Sequence, residues 1–375
     1  MRLNRLFGEI SGAFADVGTF LPLVVGVLMV RGFDATGVLV GFGLFALATA
    51  AIYRRPVPVQ PMKAVAAVVV AAGLTPAAVA ASGLIMGLML ALLAVTGVIG
   101  RLARLIPQSV LLGIQLGVGA HLAVVGFAHV ATDAIAGAIA FGLLVILLLT
   151  PLRALAGLLL LGAVVGWQAI GGGLPAGLTL GLHLPEFAFP AGADFKAAAE
   201  TVVLPQLALT LTNAVIATAA VAASLFPDDR ERITAPRLAL SSGILNLLLA
   251  PIGALPMCHG AGGLVVQHRF GARTGVAPAI FGLCCLGLGV FLGPGAVTLL
   301  AALPIAAVGA LLVVGGADLA FSRRLFEARP DCMPAILATA VASVAVNVAV
   351  GLAAGLAVEL ARAAIAWAFR WTRPR

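Results

Sequence analysis

The residues best suited to chemistry are polar groups stranded in hydrocarbon. In PVPVQPMKAVAAVVVAAG, residues 56–73, Gln60, Met62 and Lys63 head an apolar run behind Pro56, Pro58 and Pro61. In ALPMCHGAGGLVV, residues 254–266, Cys258 and His259 precede Gly260, Ala261, Gly262 and Gly263. Gln206, Thr210 and Asn213 recur at i, i+4 and i+7, one face of a helix. Glu9, Asp16 and Thr19 lie in the first apolar segment. Hydrogen-bond donors, one cation and small residues suit the holding of an anion. They suit no covalent chemistry. The sequence has no catalytic triad, no Cys/His metal spacing, and no Walker or Rossmann context around the Gly171–Gly173 run. The expectation is a protein that is not an enzyme, takes no cofactor or metal, and binds no nucleic acid.

Proline lacks an N–H and disfavours helix in the residue before it, so 56–61 cannot be regular helix. Val57 and Val59 favour an extended strand, and Pro61 suits a first helical position. An extended stub therefore leads into a short helix that stops before Thr75-Pro76. About fourteen residues are too few to cross a bilayer alone. Pro256 breaks the matching stretch, and Gly260 to Gly263 leave its first turn without bulk, so a ligand can approach the backbone closely.

Two facing half-helix N-termini would each carry about half an elementary charge and several free N–H groups. Lys63 adds a full charge, bringing the site to roughly two, which fits a dianion such as molybdate or sulfate. Gln60, Met62, Lys63, Cys258, His259, Gly260, Ala261 and Gly262 are thus the expected binding residues, with Thr19, Gln206, Thr210 and Asn213 as lining. Each has a plainer reading. Lys63 could snorkel to the interface. His259 could cap or fill. The Gln206 stripe could be interhelical glue. Asp16 could form a structural pair with Lys63 or carry a proton. Glu9, seven residues earlier on the same helix face, is read as interfacial.

The elements that position these groups follow from composition. Of 375 residues, 62% are apolar and 10% charged, with mean hydropathy +1.17. A soluble domain carries roughly 25% charged residues. The chain is a polytopic membrane protein, and continuous apolar runs argue for helices rather than a barrel. Expected spans are 8–30, 34–53, 60–74, 77–100, 107–129, 132–150 and 152–170, then 198–226, 236–254, 257–269, 275–293, 297–316, 331–348 and 350–370. The first span is read as uncleaved. Seven spans (1–170), an external linker (171–197) and seven spans (198–375) put nearly every arginine inside and leave Arg31 and Lys196 outside. Both termini are then cytoplasmic. The net charge of +8 is an orientation signal, and Cys284 and Cys285 read as small buried hydrophobes.

The halves echo each other. GVGAHLA (117–123) matches VGGADLA (314–320), with His121 and Asp318 each fourteen residues after a proline. QPMKAVAAVVV matches LPMCHGAGGLVV, and TFLPLVV matches VVLPQLA. An odd number of spans per half inverts one half. Inverted repeats with interrupted helices point to a secondary transporter with its site at the repeat interface. His121 and Asp318 are read as structural, near the ends of their spans, and Glu359 has no assigned role.

At GEISGAFADVGTFLPL, PVPVQPMKAVAAV, LPQLALTLTNAVIAT and PMCHGAGGLVVQHRFGARTG the chain resembles the molybdate transporter family related to the sulfate permeases. The resemblance covers nearly the whole chain. It implies an all-α membrane fold of 14 transmembrane segments as a 7+7 inverted repeat, with two strand-plus-half-helix segments. A core (spans one to four and eight to eleven) would move against a gate, which makes a homodimer contact. No soluble regulatory domain is expected. Sulfate permeases have an acid in the eighth span where this chain has Gln206 and Asn213, so Asp16 becomes the candidate for proton or other ion coupling. The expected function is molybdate import by alternating access. The alternatives are sulfate or general dianion transport, or an anion channel of the same fold. A prokaryotic inner membrane is the expected location.

Overall fold

The computed structural model describes residues 2–371 except 31, 151, 153–155, 172–179, 302–303, 322 and 347. The chain begins with α1 (Arg2–Ala13), α2 (Val17–Leu28) and α3 (Ala35–Tyr53). Asp34 caps α3 by accepting from Thr36 N and Gly37 N at 3.0 and 2.8 Å, and Arg54 ends it in the left-handed region (φ 51°). Then come β1 (Gln60–Pro61), α4 (Lys63–Ala72), α5 (Pro76–Val95), α6 (Val98–Leu105), α7 (Gln108–Ala131), α8 (Ala134–Leu149) and α9 (Ala156–Gly171). The second half runs α10 (Gly192–Ala198), α11 (Leu204–Leu209), α12 (Thr218–Leu225), α13 (Ala235–Leu249), β2 (Met257–Cys258) and α14 (Ala261–Arg269). It ends with α15 (Val276–Gly287), α16 (Gly295–Ala301), α17 (Ile305–Ala320), α18 (Arg323–Phe326), α19 (Met333–Ala345) and α20 (Val348–Trp371). Five described stretches are long and apolar enough to span a membrane: Ala35–Tyr53, Pro76–Val95, Gln108–Ala131, Gln206–Leu225 and Ala235–Ile252.

Several expected spans are interrupted. The first is two helices, broken at Phe14–Asp16 by tight i→i−3 bonds: Ala15 N to Gly12 O and Val17 N to Phe14 O, both 3.2 Å. Asp16 sits in this break, so it does not share a helix face with Glu9. Glu9 is not interfacial either. It is 3% exposed, and its carboxylate accepts from Arg273 N and Thr274 N, both at 3.0 Å, pinning the loop after α14. The eighth span has π-helical turns at Ala199–Val203 and Thr210–Ala217. Pro205 has no N–H to return to the preceding turn, which accounts for the first of these. The twelfth span is α16 and α17, bent by 65° at a break that ends on Pro304.

Helices α7 and α17, which carry the matched GVGAHLA and VGGADLA segments, lie against each other. A methyl on Gly119 would come 2.6 Å from Gly316 O, and one on Gly126 would come 2.8 Å from Gly309 O. Only a bare backbone permits that approach. His121 is mid-helix rather than near an end. Glu359 gains a structural role: it accepts from the Ser109 hydroxyl and, at 2.7 Å, from Arg362, tying α20 to α7. The described end of the linker is fastened at Gly181 N to Phe291 O (3.0 Å) and His183 N to Val290 O (2.8 Å). Gly172 and Gly173 of the linker, Arg31, Arg153, Arg373 and Arg375 of the charge pattern, and the Asp318 side chain lie outside the described residues.

Candidate functional site

The two proline-broken stretches meet. β1 and β2 pair antiparallel, Gln60 opposite Cys258 and Pro61 opposite Met257. Met62 N donates to Pro256 O at 2.8 Å. Asn246 of α13 clamps the backbone of Met257, donating to its carbonyl at 2.7 Å and accepting from its N–H at 2.8 Å. So short a ladder has few bonds of its own, and the side-chain amide supplies two more. α4 starts at Lys63 and α14 at Ala261, each directly after its strand. Of their first-turn N–H groups, only Ala64 N has a protein partner, Gln206 Oε1 at 2.8 Å; among the described residues those of Lys63, Val65, Ala261, Gly262 and Gly263 have none. Such unpaired donors at a helix start are an anion site in waiting.

Between them lies a cavity of about 210 Å³. Gln60, Lys63, Gln206, Asn213, Cys258 and Gly262 line it, all of them expected from the sequence. Lys63 forms no ion pair among the described residues. Lys63 is half-buried and has no carboxylate within ion-pair distance among the described residues. Nor does Asp16 pair with Lys63. Its Oδ2 accepts from Gln60 Nε2 at 2.6 Å, and the residue is 6% exposed. Gln206 also donates to Thr210 Oγ1 at 2.8 Å, so Thr210 stands behind Gln206, 1% exposed.

The remaining expected residues are placed differently. His259 precedes α14 and is turned away from the cavity, fully buried between Phe45 and Tyr53. Its Nδ1 donates to Pro58 O at 3.0 Å, and its Nε2 lies 3.2 Å from Ser241 Oγ; Tyr53 Oη lies 2.6 Å from that hydroxyl. A carbonyl can only accept, so Nδ1 carries a proton. His259 is a structural tie for the stub. Met62 and Ala261 bury their side chains in the core, and Thr19 is half-buried outside the cavity lining. Gly260 is needed because a Cβ there would strike Gln60 Oε1; at Gly263 it would strike Asp16 Oδ2.

Sequence reasoning missed another part of the lining, formed by Val118 and His121 of α7 with Ser343 and Val346 at the end of α19. It also missed Asn246. The signal for both was a single polar residue inside an apolar run.

A family model described as "Molybdate transporter of MFS superfamily" matches residues 8–122 and 198–319, which hold both broken stretches and the Gln206 stripe. The chain belongs to this molybdate transporter family. Family members are transporters and not enzymes. "Molybdate transporter 2" of Arabidopsis thaliana is 31% identical over 90% of this chain and 83% of its own length. "Molybdate transporter 1" of Chlamydomonas reinhardtii is 31% identical over 84% and 83%. Two solved structures share the fold of this family member. The transmembrane domain of a cyanobacterial bicarbonate transporter, BicA, aligns with TM-score 0.56 at 16% identity, over 92% of this chain and 97% of that one. The murine solute carrier 26 family member A9 anion transporter, inward-facing, aligns with TM-score 0.60 at 12% identity, over 97% and 68%. The family member is therefore an integral membrane protein of a helical anion-transporter fold.

Proposed function

We propose that this chain is a secondary active transporter that imports molybdate by alternating access. The observation that carries the reading is the convergence of Lys63 and two half-helix N-termini on one cavity, in a chain whose relatives are molybdate transporters. Lys63, Gln60, Asn213, Cys258 and the N–H groups of Ala261 and Gly262 bind the oxyanion. Gln206 and Thr210 hold the first turn of α4 in place. The architecture behind this is a 7+7 inverted repeat of fourteen segments, residues 1–170 and 198–375 about an external linker. The core carries the site past the gate, the gate forms a homodimer contact, and both termini are cytoplasmic. Relatives in Arabidopsis and Chlamydomonas mean that family membership does not restrict the chain to a bacterial membrane.

Asp16 is the coupling group in this reading. Its Oδ1 and Gln267 Oε1 are both buried acceptors without a partner among the described residues, and both residues line a void of about 10 Å³. A proton on Asp16 supplies the donor such a place lacks. Gln60 links that carboxyl to the oxyanion cavity.

The test is molybdate counterflow into proteoliposomes holding the purified protein. Saturable uptake accelerated by internal molybdate is the expected result. Non-saturating flux that follows the electrical gradient would replace the carrier by an anion channel.

A further inference from the structure

The binding residues above come from the broken elements and the eighth span, yet the cavity has another wall. Helix α7 is held in rotation by bare backbone on two faces. Gly113 and Gly117 abut Thr339, Ala340 and Ser343 of α19, while Gly119 and Gly126 abut α17. At the helical period, positions 118 and 121 fall on the arc between those faces. That arc is the part of α7 that opens on the cavity, and Val118 and His121 line it. His121 is exposed although Val118 and Gly119 beside it are buried. Among the described residues its ring makes no hydrogen bond or ion pair, and it lines the same cavity as Lys63. Ser343 and Asn213, on the same cavity, each keep a buried oxygen without a partner.

We propose that His121 is a substrate-contacting, specificity-determining residue: it donates a ring N–H to the oxyanion from α7 while Lys63 and the half-helix N–H groups hold the other side. The inference rests on the oxyanion reading above and adds a contact from a different structural unit. A ligand that touches both walls must reach across the cavity. Molybdate, with longer bonds to oxygen than sulfate, reaches further. His121 therefore favours the larger tetrahedral dianion, whereas the charge on Lys63 serves both.

The experiment is equilibrium binding of molybdate and of sulfate to the purified full-length chain and its variants. His121→Ala is expected to weaken molybdate about tenfold, one hydrogen bond to a charged ligand, and sulfate by no more than about twofold. His121→Gln, which keeps an N–H donor, should regain part of the molybdate loss. His121→Leu replaces the alanine variant if that fails to fold. Equal losses for the two anions, no loss for either, or no recovery with glutamine would each overturn the proposal. Failure of the unsubstituted protein to bind either anion would overturn the oxyanion reading itself, so the two failures are distinguishable.

Discussion

Lys63 and Asp16 are both ionisable residues in apolar segments, and the proposed function gives them different tasks. Lys63 faces a cavity that no carboxylate among the described residues lines. Asp16 lies behind the half-helices, where Gln60 holds one of its oxygens and Gly263 leaves room for it. Removing the charge of Asp16 while keeping its shape separates coupling from binding. Asp16→Asn can still accept from Gln60, so molybdate affinity should stay within about twofold of the parent. The pH dependence of initial uptake, measured in proteoliposomes over about pH 5 to 8, should flatten, since the proton carrier is gone. An unchanged profile would remove Asp16 from the coupling role. The acid was visible in the sequence as an intramembrane carboxylate. Its partner was not, because pairing with Gln60 depends on how a broken strand folds back across the first span.

At the scale of elements, the two-residue strand pair is the part most dependent on outside support. Asn246 satisfies both backbone groups of Met257, and the His259–Ser241–Tyr53 chain fixes the stub beside it. Asn246→Ala orphans a buried N–H and a buried carbonyl, each costing roughly 1–3 kcal/mol. A clear drop in Tm of the purified protein, with loss of molybdate binding, is expected in a thermal unfolding series; unchanged stability and binding would show that the ladder holds itself. Proline chemistry made the breaks at 56–61 and 256 legible in advance, because a missing N–H acts locally. The turn at Phe14–Asp16 and the direction of the His259 ring were not legible. The first is a contest between helix and a tight turn near Asp16. The second is decided by partners on α3, α13 and the stub, all distant in sequence. Composition alone allowed His259 to face either way.

For the whole molecule, the central claim is that one cavity between two broken elements holds an oxyanion, with Lys63 as its charge. The apolar composition made the membrane fold legible, and the Pro-Met echoes pointed to the elements that meet. The wall from α7 and α19 was hidden, because which arc of an apolar helix opens on a cavity is set by its glycine contacts on both neighbours. The most direct measurement is molybdate binding to the purified protein and to Lys63→Ala, with sulfate titrated as competitor at constant ionic strength. The expected result is micromolar or tighter binding that a large sulfate excess fails to displace, and its loss in a Lys63→Ala protein that remains folded. Undiminished affinity without Lys63, or no molybdate binding at all, would contradict the site; equal displacement by sulfate would contradict molybdate as the preferred substrate.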